Sequence, residues 1–248
     1  MKIEAVEGIV LSEVNYSESS KILNVLTRDY GLIGIMSKGC RGIKSKLRGV
    51  SRKLIYGTFN IYYKEGGVST LISVDLINSF SKTMMDLTKI SYSSFILDLV
   101  LQVVRQNNES KIFDLLRDSL VKIEEGINPL VITNILELKL LEYLGVKPNL
   151  DSCSLCGSTK NIVSLSGTDH GFVCGACFTN QRITNTDTIK MIRLYDLVDI
   201  SSINKLDIDK DIMNEINTFI DEYYEKYTGL YIKSKDFIKQ VNRLDNTN

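Results

Sequence analysis

Four cysteines carry the most specific chemistry in this chain. Cys153, Cys156, Cys174 and Cys177 form two C-x2-C pairs separated by seventeen residues. Each pair spans a tight turn that lets two sulfurs reach one ion. The interval is long enough for a hairpin that returns the second pair to the first. Four thiolates around a borderline-soft d10 cation describe a closed, tetrahedral zinc site. Such a site carries a net charge of −2 and no open coordination position, so it neither attracts phosphate nor activates water. Its expected role is structural, with one Zn2+ folding a segment too small to build its own core. Buried reduced thiols and redox-active pairs are the competing readings. A thioredoxin-like site would place its C-x2-C before a helix in a βαβ unit, and neither pair has that setting. His170, the only histidine, lies four residues before Cys174 and is an alternative ligand.

A second group is chemically distinct. Residues 38–53 read KGCRGIKSKLRGVSRK and contain Lys38, Arg41, Lys44, Lys46, Arg48, Arg52 and Lys53 with no acid among them. By itself such a run is a solvated loop as readily as a binding site. Its glycines and serines would let backbone amides approach phosphate oxygens closely. No carboxylate occurs between Tyr30 and Lys64. Phosphate contact by all seven charges would give a salt slope of about −5 on single strands and about −6 on duplex. Tyr56, Phe59, Tyr62 and Tyr63 follow on the next apolar run, where some must enter a core and one or two are candidates to stack on bases. Nothing in the run reads base identity, so the contact expected is with the backbone.

The chain as a whole is neutral, with 30 basic and 30 acidic residues in 248. The balance is uneven: residues 1–80 hold eleven Lys/Arg against seven Asp/Glu, a net of +4, which leaves −4 for the rest. A basic front on an acidic body points to an anionic partner for the front. The hydrophobic fraction of 44% and the charged fraction of 24% are those of a globular protein. No apolar run is expected to cross a bilayer, the best candidate being FILDLVLQVV with Asp98 and Gln102 inside it. The acids of MKIEAVEGIV do not suit a signal peptide. With five cysteines, one of them odd, a secreted disulfide framework is not expected either, and the reading is cytoplasmic.

The elements that must position these groups change character along the chain. Five strand-like runs fill the first 80 residues: IEAVEGIVLSEV, SKILNVLT, LIGIMSKG, LIYGTFNIYYK and VSTLISVDLINSF. Turns fall at NYSES, at Tyr30-Gly31 and at Glu65-Gly66-Gly67. That count suits an OB-type barrel, with an SH3-like barrel as the alternative. The basic stretch lies between the third and fourth strands, where its loop would project beside a binding face. From residue 87 the apolar period becomes three and four, predicting helices in 87–106, after Ser110, from Pro129 with Asn128 as cap, and again in 186–199, 210–227 and 233–244. The expected fold is therefore α+β and multidomain. An OB domain spans 1–80, a helical domain spans 81–148 and 181–248, and a four-cysteine zinc-binding insert spans 149–180. The tail DNTN reads as frayed.

These features resemble the bacterial DNA repair protein RecO family. The matching segments are GIVLSEVNYSESSKILNVLT (8–27), YGLIGIMSKGCRGIKSKLRG (30–49), LEYLGVKPNLDSCSLCG (141–157) and GLYIKSKDFIKQV (229–241). The resemblance implies a non-enzymatic mediator of recombinational repair that binds single- and double-stranded DNA and anneals complementary strands. It implies RecR and the single-strand DNA-binding protein as partners in loading recombinase, and no P-loop is present. A DNA role carries over to residues 38–53 as a group. Where the family often has an arginine pair after Lys-Gly, this chain has Cys40, Arg41 and Gly42. The cysteine quartet occurs in some members and not in others, as a structural site would. Two other classes of function compete: a zinc-ribbon thiol oxidoreductase, and a scaffold whose basic loop meets an acidic protein tail.

Overall fold

The computed structural model describes residues 2–245; of the tail DNTN, residues 246–248 lie outside the described residues. The chain is mixed α+β, and its contacts divide into two units. One runs to Glu124 and resumes at Ile232; the other is Glu125–Tyr231.

Five strands build the first unit: β1 (Lys2–Tyr16), β2 (Ser20–Thr27), β3 (Gly31–Ser37), β4 (Tyr56–Tyr63) and β5 (Ser69–Asn78). They pair in the order β1-β2-β3-β5-β4, with β4 returning to β1. Every pairing is antiparallel except the β3–β5 seam, which is parallel and held by Ile35↔Ser69 and Met36↔Thr70 alone. This is the narrowly closed five-stranded barrel of the OB type. Its alternation is visible in the core: Val6, Val10, Leu23, Val25, Ile35, Phe59, Ile61 and Leu71 point inward and are buried. Gly57 is required where β5 crosses β4, because a Cβ there would lie 2.7 Å from the Asp75 carbonyl oxygen.

Four helices complete this unit. A short turn, α1 (Ser81–Met84), follows Phe80, which sits in the left-handed region at φ 49°. Then come α2 (Leu87–Gln106), α3 (Lys111–Glu125) and, from the far end of the sequence, α7 (Lys233–Asp245), with α4 to α6 belonging to the second unit. Asp86 caps α2 by accepting from the Lys89 N–H at 2.9 Å. The expectation that no apolar segment reaches bilayer-spanning length does not hold for α2, which is long and apolar enough by length and composition. More than half of that stretch, 56%, is nevertheless buried inside the protein. Phe95, Ile96, Leu99 and Val103 enter the core, and Lys235 of α7 lies 5.2 Å from the Phe95 ring centroid.

An ion-pair cluster ties the barrel to α3. Arg28 meets Glu7 at 2.8 Å and Asp114 at 2.9 Å, with its guanidinium 4.8 Å from the Phe113 ring centroid. Tyr56 donates to Glu7 as well. Chiefly through the Arg28 hydrogen bond, opposed by burial and aided by Tyr56, Glu7 titrates below the ordinary glutamate range. A depressed carboxylate contributes stability above its unfolded pKa, and that contribution disappears as pH falls through the folded value. Thermal stability should therefore drop on acidification below about pH 4.3, the unperturbed glutamate value. The drop should be smaller in Glu7→Gln; melting curves between pH 7 and pH 3 measure both.

The second unit contains α4 (Pro129–Tyr143), the hairpin β6 (Ile162–Ser166) and β7 (Gly171–Cys174), α5 (Thr186–Leu197), a 3-10 turn at Ile200–Ser202, and α6 (Lys210–Tyr227). Pro129 opens α4 and the Asn128 side chain accepts from Leu130 and Val131 N–H groups. Gly145, at φ +73°, closes it with Val146 N–H reaching the Leu141 carbonyl at 3.0 Å. Helix α6 packs on both α4 and α5. Tyr224 of α6 donates to the Glu137 carbonyl of α4 at 2.9 Å.

Candidate metal centre and basic loop

In the second unit, the cysteines are brought together by backbone bonds rather than by a core. Asn149 is hydrogen-bonded on either side of Gly171 at the start of β7: its N–H donates to the His170 carbonyl, and its carbonyl accepts from Phe172 N–H. Gly171 permits this approach, because a Cβ there would lie 2.2 Å from the Asn149 carbonyl oxygen. Ser154 N–H donates to the Phe172 carbonyl at 2.8 Å, which lays the first knuckle beside β7. Each knuckle is then closed by its own turn, with Gly157 N–H bonding to the Cys153 carbonyl and Cys177 N–H to the Cys174 carbonyl. Arg193 of α5 braces the assembly. Its guanidinium stands 4.8 Å from the Phe172 ring centroid, and its Nε donates to the Leu150 carbonyl.

The four Sγ atoms lie within 4.8 Å of one another, and Cys156 and Cys174 sulfurs are 3.6 Å apart. Sulfurs on a tetrahedron with 2.3 Å metal bonds would be about 3.8 Å apart. All are free thiols, so no disulfide draws them together. Burial opposes ionisation of Cys153, but N–H groups of Cys174, Leu155 and Cys156 bring its thiol down to about 6. Cys177 is pushed up to about 12 by its hydrogen bond with Cys156 and then by burial. Like charges this close oppose one another, so without a cation the four thiols do not ionise together. A bound cation is what would let all four ionise together, so the donor set fits a metal ion. His170 takes no part. Its Nδ1 is 2.7 Å from the Tyr223 hydroxyl and its ring packs on Tyr227 at 4.1 Å.

The basic stretch is a chain of turns between β3 and β4, not an open loop. Gly42, Ser45 and Arg48 N–H groups bond to the carbonyls of Gly39, Gly42 and Ser45 in succession. Its uncharged residues hold it down. Cys40 is buried, Leu47 and Val50 pack on the barrel core, and the Ser37 and Ser51 hydroxyls meet at 2.7 Å. Leu54 and Ile55 then exchange backbone bonds with Val10. Ile43, 87% exposed, is the one apolar residue of the stretch that points out.

Lys38, Arg41, Lys44, Lys46 and Arg48 are exposed, and among the described residues none has a carboxylate partner. Arg41 donates to the Ser17 carbonyl at 3.1 Å, which fixes it against the β1–β2 turn. Arg52 and Lys53 differ. They are half-buried along a shallow groove of about 280 Å³, and Lys53 reaches Asp98 of α2 at 3.2 Å. Of the aromatics on β4, Tyr56 and Phe59 are buried, and Tyr63 packs against the core with its ring 4.6 Å from Tyr30. Only Tyr62 is exposed. Six residues beyond Tyr56, it lies about 20 Å along the strand from the loop's end. The loop's apolar anchors had a sequence signature in Cys40, Leu47 and Val50 interrupting the charges; the Lys53–Asp98 pair, 45 residues apart, had none.

Residues 1–80 match the family model for the recombination protein O N terminal, and residues 84–236 match that for the recombination protein O C terminal. The chain belongs to the RecO family. A DNA repair protein RecO from Bacillus velezensis is 34% identical over 244 residues, covering 97% of this chain and 95% of its own length. One from Bacillus pumilus is 33% identical over 242 residues, covering 96% and 94%. The RecO of Listeria monocytogenes is 29% identical over 248 residues, covering 98% and 97%. The RecO family models thus cover both the barrel and the cysteine-bearing unit.

Proposed function

We propose that this protein is a bacterial DNA repair mediator of the RecO type. In this reading it binds single- and double-stranded DNA through residues 38–53, anneals complementary strands, and works with RecR and the single-strand DNA-binding protein in recombinase loading. The observation that carries the DNA contact is the basic loop itself. Five cations without a carboxylate partner among the described residues face outward from a loop whose apolar residues hold it on the barrel. The domain scheme is an OB domain over 1–80 that contacts DNA, a helical domain over 81–148 and 181–248, and an insert over 149–180. Cys153, Cys156, Cys174 and Cys177 would hold one zinc ion as a structural staple. No step of DNA binding or annealing passes through that ion, which would have no open position. The mediator is proposed to act without catalysis, in the cytoplasm.

Convergence of all four sulfurs favours a metal over the thiol oxidoreductase, which needs only one pair and a disulfide. A salt series of oligonucleotide binding tests the DNA reading. If the five outward cations carry the contact, log K against log salt should slope at about −3.5 on single strands and about −4.5 on duplex, with little sequence preference. Absent or salt-insensitive binding would reject it in favour of a protein-binding scaffold.

A further inference from the structure

We propose that Tyr16 is a base-stacking platform, and that a single DNA strand crosses the outer face of the β1–β2–β3 sheet beside the basic loop. The proposal rests on the DNA-binding reading above and deepens it. Register determines which side chains share this face. Leu23 and Ile35 point into the barrel core, so their neighbours Ile22 and Met36 point outward. Val14 pairs with Ile22, Ile22 pairs with Met36, and Tyr16 pairs with Ser20, so all share the outer face. Val14 is 57% exposed and Tyr16 52% exposed. The alternation puts no charged side chain on this face between Val14 and Tyr16 or across to Met36.

The basic loop begins at the edge of that same face. Gly39 N–H donates to the Ser20 hydroxyl, directly opposite Tyr16, at 3.2 Å. Arg41 N–H donates to the Ser19 carbonyl at 2.9 Å, and its guanidinium holds the Ser17 carbonyl one residue from Tyr16. Lys38 and Arg41 are thereby stationed at the border of an uncharged, partly apolar strip ending in an aromatic ring. Bases seek that strip and phosphates seek that border. A single strand presents both together, whereas duplex keeps its base faces stacked and offers phosphate alone. An acidic protein tail would match the cations but leave the uncharged strip without a reason. Tyr62, exposed on β4 and paired with Ile3, lies at the end of its strand away from the basic loop.

The chain contains no tryptophan, so Tyr16→Trp introduces a single reporter. Titration with oligothymidylate should quench its fluorescence, and titration with duplex of equal length should not. Tyr16→Ala should lose about 5- to 100-fold in single-strand affinity. It should leave duplex affinity within about twofold, and Tyr16→Phe should restore single-strand binding. If wild-type protein binds no single strand, the DNA reading fails and this inference falls with it. If wild-type protein binds but the Tyr16→Trp signal is unmoved and Tyr16→Ala keeps its affinity, only the stacking proposal is overturned and the face is left for a protein partner. Equal losses on single strand and duplex would also overturn it, since stacking would not weaken duplex binding.

Discussion

Replacing Lys44, Lys46 and Arg48 together by glutamate is expected to weaken binding to single-stranded and duplex oligonucleotides by roughly 100-fold or more at low salt. The three side chains project from consecutive turns of the basic loop and have no carboxylate partner among the described residues. Each reversal removes an attraction for phosphate and introduces a repulsion of similar size. The salt dependence should change with the affinity: three fewer released counterions flatten the slope by about 2 on single strands and by about 3 on duplex. Stability should hardly move, because the loop is held by Cys40, Leu47, Val50 and Ser51 and not by its charges. Surface substitutions of this kind usually stay within about 0.5 kcal/mol. Lys53→Ala is the matched control. Its ammonium is committed to Asp98, so the control should lose that pair and little DNA affinity. A folded triple variant with wild-type affinity would remove the basic loop from the mechanism.

The contrast between Arg48 and Lys53 shows what sequence could and could not disclose. Charge density and the absence of acids from Tyr30 to Lys64 marked residues 38–53 as a group. Their division into outward cations and paired ones depends on a loop-to-helix contact far along the chain, which local spacing does not encode. Helix limits were legible wherever capping chemistry was strong. Asn128, Pro129 and Gly145 bound α4 at the expected places, and α6 fills the predicted segment from Lys210 to Tyr227. Helix α1 was not legible, since four residues carry no period and its entry depends on Phe80 adopting φ 49°. Tyr16 was missed for a similar reason. Tyr56, Phe59, Tyr62 and Tyr63 drew attention by clustering after the basic run, yet alternation sends Phe59 inward and leaves Tyr62 remote from the loop. A lone tyrosine at the end of β1 gains meaning only when the β1–β2 register places it opposite Ser20.

Removing the metal should have the largest effect on structure and a small one on oligonucleotide binding. Protein purified without chelator is expected to contain about one zinc per chain. Chelation, or Cys174→Ser, should make residues 150–180 readily cleaved by protease while fragments of the barrel persist. The segment has little else to hold it. Its buried apolar side chains are Leu150, Leu165, Phe172 and Val173, and beyond its own turn bond each knuckle is held by few backbone bonds: Cys153 N–H to the Ser158 carbonyl and Ser154 N–H to the Phe172 carbonyl in the first, Gly175 N–H to the Asn161 carbonyl in the second. Apparent zinc-binding energies of about 10–16 kcal/mol in small sites match or exceed the stability of a whole domain. Losing even part of that contribution would leave the hairpin without a folded state. The cations of residues 38–53 belong to the other unit, so oligonucleotide affinity should stay within about threefold, well under the roughly 1.4 kcal/mol of a tenfold change. Native protease resistance in fully zinc-free protein would show that the ion is not a staple. Disulfides in freshly isolated protein would instead revive the thiol-exchange reading, because sulfurs 3.6 Å apart need little movement to bond once the cation between them is absent.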